Sequence, residues 1–98
     1  MNEQPFEFYK TTYADGTLAL MYRNAHDPDS PEYYNRVTVN LGVELPKDCV
    51  YLDANHLPVK VQNELQRHFQ LIELTQSGFV EYPLVQFSPI FLNSLTTL

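Results

Sequence analysis

Over residues 6–13 the side chains alternate, with Phe6 and Phe8 on one face and Tyr9 and Tyr13 on the other, which is the two-residue period of a β-strand. Ala14-Asp15-Gly16-Thr17 follows. Gly16 has no Cβ to clash at positive φ and Asp15 tolerates the same region, so this tetrapeptide predicts a tight hairpin to a second strand over 18–23. Residues 24–32, NAHDPDSPE, read as a loop, because two prolines remove backbone donors and Asn, Asp and Ser close turns through their side chains. Alternation resumes at Tyr33. It sets Asn35, Val37, Val39 and Leu41 on one face and Tyr34, Arg36, Thr38 and Asn40 on the other, predicting one continuous strand. Pro46 interrupts 43–48, and 49–53 predicts a short strand with Val50 and Leu52 inside.

The period then changes. Leu57, Val61, Leu65 and Phe69, with His68 beside them, recur at helical spacing and predict an amphipathic helix over 57–69. Pro58 suits its first turn, Asn55 or a neighbour can cap it, and Lys60, Gln62, Asn63, Glu64 and Arg67 form its polar face. Residues 71–87, LIELTQSGFVEYPLVQF, place two apolar runs around Gln76-Ser77-Gly78 and predict a second hairpin. Pro83 has no N–H to give a ladder, so its position belongs at a sheet edge or a bulge. The tail 89–98, PIFLNSLTTL, is apolar without a clear period, which leaves it to dock, to pair with a second copy or to fray. The expected architecture is α+β: a single antiparallel-rich sheet of about six strands with one amphipathic helix on one face. Its 98 residues suit one domain, with 1–5 and 89–98 as flexible or docking termini.

Composition narrows the function. An apolar fraction of 44% with 18% charged residues belongs to a folded chain, and seven Tyr with six Phe supply much of a small core. Twelve acidic against six basic side chains give a net charge of −6, and Lys10, Arg23, Arg36, Lys47, Lys60 and Arg67 stand singly. Phosphate binding needs clustered cations, so direct nucleic-acid binding and attachment to anionic membranes are disfavoured, whereas a basic partner is attracted. No apolar run approaches the ~20 residues that span a bilayer, and the first ten residues lack a secretory leader pattern. The lone Cys49 has no internal disulfide partner, which agrees with a reducing cytoplasm.

Candidate chemistry is sparse. His26, His56 and His68 have no metal-ligand spacing, and Cys49 beside Val50-Tyr51-Leu52 reads as a small buried thiol before it reads as a nucleophile. Ser77 lacks the Gly-x-Ser-x-Gly frame of a nucleophile elbow. No catalytic residue, cofactor or metal ligand is assigned. Asp27, Asp29 and Glu32 form the densest acidic group; without the glycine and distal Glu of a calcium loop, they are a candidate surface for a partner's Lys or Arg, or simply a solvated turn. Asp53, with Tyr51, Asn55 and His56, is the candidate polar site where a strand runs into a loop. The plainer roles there are capping by Asn55 and turn closure by Asp53.

Three stretches carry a resemblance: VTVNLG at 37–42, CVYLDAN at 49–55 with Pro58, and LTQSGFVEYPLVQF at 74–87. Together they resemble the signature of a small bacterial protein family of unknown function, often encoded on plasmids and conjugative elements. Members of that family often carry a second cysteine where this chain has Val80 or Glu81, a departure that speaks against a shared disulfide or metal role for Cys49. The resemblance implies a cytoplasmic accessory protein and transfers no activity.

Three classes of function follow as expectations. The first is a non-enzymatic protein working by protein–protein contact, with an acidic DNA mimic as a special case. The second is a small-ligand binder or minor enzyme around Asp53 and His56. The third is self-association through an edge strand near Pro83 or through the tail.

Overall fold

The computed structural model describes residues 6–24 and 34–98. Strands β1 (Phe6–Thr12) and β2 (Leu18–Asn24) pair antiparallel, with Phe8 opposite Tyr22 and Thr12 opposite Leu18. A turn joins them at the expected glycine, but it closes from Tyr13 to Gly16 and Asp15 does not take the positive φ expected of it. The Gly16 N–H donates to the Tyr13 carbonyl at 2.9 Å, the Thr17 N–H donates to Asp15 Oδ1 at 2.9 Å, and Gly16 takes φ 86°, the left-handed conformation that favours glycine.

The alternating run after Tyr33 is not one strand in one sheet. Its first part, β3 (Asn35–Arg36), pairs with β2, and its second, β4 (Thr38–Val39), pairs with β5 (Cys49–Leu52). Val37 sits at the switch, fully buried. Its N–H donates to the Leu20 carbonyl on one side at 2.9 Å, and its carbonyl accepts from the Asp53 N–H on the other at 2.9 Å. Both Val37 and Thr38 are therefore interior, although alternation assigned them to opposite faces. The Thr38 hydroxyl is satisfied within the core by the Leu20 N–H at 3.3 Å and the Tyr13 hydroxyl at 2.8 Å.

This switch overturns the single six-stranded sheet. Among the described residues there are two four-stranded sheets, ordered β3-β2-β1-β8 with β8 at Thr96–Thr97, and β4-β5-β7-β6 with β6 at Phe69–Ser77 and β7 at Val80–Phe87. The second is antiparallel throughout. The first is mixed, because β8, formed by the apolar tail, runs parallel to β1 with Tyr9 opposite Thr96.

The expected long helix is also shorter. α1 covers Val59–Leu65 and passes through a 3₁₀ turn at Gln66–His68, and Phe69 already opens β6. Pro58 is the N-cap, not the first helical residue, and no side chain caps this end. Gln62 instead reaches back, donating to the carbonyls of Leu57 at 2.9 Å and Ala54 at 3.1 Å. A second short helix, α2 (Pro89–Ser94), follows β7 directly.

The main core lies where both sheets and both helices meet. Phe8, Leu20 and Tyr22 of the first sheet join Val50, Leu52, Val85 and Phe87 of the second, with Leu57, Val61, Leu65, Phe91 and Leu92. A smaller cluster of Cys49, Tyr51 and Leu84 occupies the opposite face of the second sheet under Val39, Leu41, Leu45 and Tyr82. β5 is thus buried on both faces, which explains why CVYL is apolar without a break.

Candidate functional site

Where β5 ends, Asp53 turns the chain. Its carbonyl accepts from the N–H groups of His56 at 3.0 Å and Leu57 at 3.1 Å, and its buried carboxylate meets the His56 ring, with Oδ1 2.8 Å from Nδ1. The His56 side chain itself is 81% exposed. Together with Tyr22, Asn35 and Arg36 these two residues line an open cavity of about 250 Å³. Two of the four residues proposed for a polar site are therefore brought together. Tyr51 belongs to the smaller apolar cluster instead, and Asn55 is exposed in the turn without a capping bond, since α1 starts too late for it to reach. Arg36 and Asn35 reach the cavity by the sheet switch at Val37, which no local pattern shows.

Cys49 is a buried free thiol, and both burial and the neighbouring Asp48 carboxylate push its pKa up. It is therefore held as the thiol, the opposite of what an attacking group needs. Among the described residues no three His, Cys, Asp or Glu side chains gather as metal ligands, and no helix is long and apolar enough to cross a membrane. The acidic group Asp27, Asp29 and Glu32 lies outside the described residues.

Sequence reasoning expected an interaction edge near Pro83; the structure puts the outer strand one place over, on β6, and makes the β6–β7 hairpin an apolar surface. β5 pairs with β7 only as far as Tyr51 opposite Leu84, and beyond Leu84 β7 pairs with β6 alone. Pro83 fits this arrangement: β7 is an inner strand of its sheet, yet at Pro83 the ladder to β5 has already ended. A two-residue loop, Gly78 and Phe79, closes the hairpin, with Gly78 at φ 64° as a first loop residue of this kind requires.

Among the described residues β6 has no strand on its outer side. Leu71, Ile72 and Leu74 along it are 53%, 47% and 55% exposed, and Phe79 at the tip is wholly exposed. Leu71 stands opposite Val85 and Leu74 opposite Pro83, so both project on the same side of the ribbon, and Ile72 is the extra residue of a bulge between Leu71 and Glu73. The signal was present in the sequence. Leu71 and Ile72 are adjacent, so a strand covered on one face only must show one of them on the other, and Phe79 follows directly on the turn glycine Gly78.

On the outer face of the first sheet, the Arg23 guanidinium lies 5.7 Å from the Tyr9 ring centre and 6.0 Å from that of Tyr34, and donates to Glu7 Oε1 at 3.1 Å. Burial raises the Tyr9 phenol pKa, and the Glu7 carboxylate raises it further.

The molecule is thus a two-sheet α+β domain with an apolar hairpin edge and a shallow polar cavity. A family model described as a domain of unknown function, DUF4313, matches residues 7–95, and the chain belongs to that family. No curated protein and no solved structure matches it.

Proposed function

We propose that this small bacterial domain is a non-enzymatic accessory protein of a mobile element that acts in the cytoplasm by holding another protein on its β6–β7 hairpin. The exposed edge strand carries the reading. An open row of backbone groups flanked by half-exposed Leu71, Ile72 and Leu74 is a liability in a chain that works alone, and natural folds blunt such edges unless they use them. Resemblance to plasmid-borne proteins and the net charge of −6 support the biological setting and argue against nucleic acid as the direct target.

Affinity capture from the native cytoplasm tests the reading with three variants shown by melting curves to be folded: Leu71→Asp/Leu74→Asp, Asp27→Asn/Asp29→Asn/Glu32→Gln, and Asp53→Asn/His56→Ala. A specific protein lost only from the hairpin variant is the expected result. Loss only from the second variant transfers the contact to the acidic group Asp27, Asp29 and Glu32. A protein or small molecule lost only from the third transfers it to the Asp53–His56 cavity, which is the alternative favoured by their 2.8 Å contact.

A further inference from the structure

The way the hairpin ladder alternates says which kind of partner the edge can take. With a two-residue loop, Ser77 and Val80 are a hydrogen-bonded pair, so Thr75–Tyr82 is the next such pair, and Gln76–Glu81 and Leu74–Pro83 between them are not. Pro83, which has no N–H, stands in one of the pairs that needs none from it. By the same alternation the N–H and C=O of Leu74 and Gln76 point away from β7, toward the side where β6 has no neighbour among the described residues. Those two residues offer two donors and two acceptors at the spacing of a strand.

The side chains around this edge are one-sided in charge as well. From Phe69 to Phe87 the hairpin contains Glu73 and Glu81 and no Lys or Arg. Glu73, opposite Leu84, lies on the face of the ribbon away from Leu71 and Leu74, which share the side of Val85 and Pro83. An added strand would therefore meet leucines on one face and a carboxylate on the other. A second copy of this chain would bring a net −6 against a net −6, whereas a basic segment is attracted.

Resting on the reading of the hairpin as a contact surface, we propose that β6 binds an extended segment of a partner protein by strand addition, the segment alternating apolar residues with Lys or Arg. Backbone hydrogen bonds to Leu74 and Gln76 supply the register, the leucines select the apolar face, and Glu73 selects the basic one.

The probe is a labelled eight-residue peptide alternating leucine and lysine, titrated into the full chain and followed by fluorescence anisotropy. Two controls accompany it: the leucine–glutamate analogue, and a peptide of the same composition with its leucines and lysines in separate blocks. Binding of the alternating basic peptide alone, weakened by salt and accompanied by slowed amide exchange at Leu74 and Gln76, is the expected result. Glu73→Lys should weaken it about fivefold, the scale of one cross-strand charge pair, and turn the preference toward the glutamate peptide. Gln76→Pro, which deletes an outward N–H, should abolish the slowed exchange and most of the affinity. Equal binding of all three peptides, or protection elsewhere than on β6, overturns the proposal. So does a dimer by light scattering that Leu74→Asp dissolves, because the edge is then occupied by a second copy. If the peptide fails while Leu71→Asp/Leu74→Asp still loses a native partner, strand addition is wrong and the hairpin surface stands; if that variant loses no partner, the surface reading itself is wrong.

Discussion

Replacing Phe91 with alanine tests whether residues 89–98 belong to the fold, and the structure sets the size of the effect. Phe91 is 8% exposed and meets three rings: Phe87 at 5.5 Å between centres, Phe8 at 6.2 Å, and His68 stacked at 4.1 Å. It joins the two sheets and the 3₁₀ turn at one point. Truncating a buried phenylalanine to alanine costs about 3–5 kcal/mol in lost burial and residual cavity. A domain of this size has about 5–15 kcal/mol in total, and each kcal/mol moves the melting temperature by about 4–8 °C, so a drop on the order of 20 °C is expected. The adjacent Ile90 is 83% exposed. Ile90→Ala should therefore change stability by no more than about 0.5 kcal/mol. Urea denaturation followed by circular dichroism measures both, and unchanged m-values would show that the comparison concerns the native state. If the two variants differ by less than about 1 kcal/mol, α2 is not seated against Phe87 in solution, and the reasoning fails. Cutting the chain after Ser88 is a blunter test, since it also removes β8 from beside β1.

Thr38→Val should destabilise the protein by about 1–3 kcal/mol in chemical denaturation, because it keeps the volume and leaves the Leu20 N–H and Tyr13 hydroxyl without their shared partner; a neutral result would show that water replaces the hydroxyl. Stability should fall in alkali. Burial raises the pKa of Cys49, Tyr9 and Tyr22, so the unfolded chain gives up these protons first; stability is full below about pH 8.5, where free thiols titrate, and declines as pH climbs through the phenol range near 10. Urea midpoints against pH should show this decline, with its lower part flattened by Cys49→Ala, and a midpoint that rises with pH there would contradict the burial of these groups. His56→Ala should cost about 1 kcal/mol, reflecting a buried Asp53 carboxylate that loses a charge-assisted partner on an exposed side chain; no measurable change would make that contact incidental to the turn.

Both hairpins were legible because their information is local. Gly16 and Gly78 take positive φ, and the runs beside them have strand periodicity. The buried spacing of Leu57, Val61 and Leu65 was equally plain, yet Phe69 continued the helical period by coincidence and opens a strand. The Asp53–His56 contact spans three residues and could be anticipated, whereas the arrival of Tyr22, Asn35 and Arg36 beside it could not.

By itself the chain specifies where strands and turns begin, which side chains seek burial, and a negative surface without clustered cations, since each of these follows from a residue and its near neighbours. The exchange of partners at Val37, the seat of the tail beside β1 and, among the described residues, the division into two sheets and the outer edge of β6 without a neighbour were decided only in three dimensions. A strand's side-chain alternation is the same whichever neighbour it pairs with, so hydrogen bonds between distant segments leave no mark in either one.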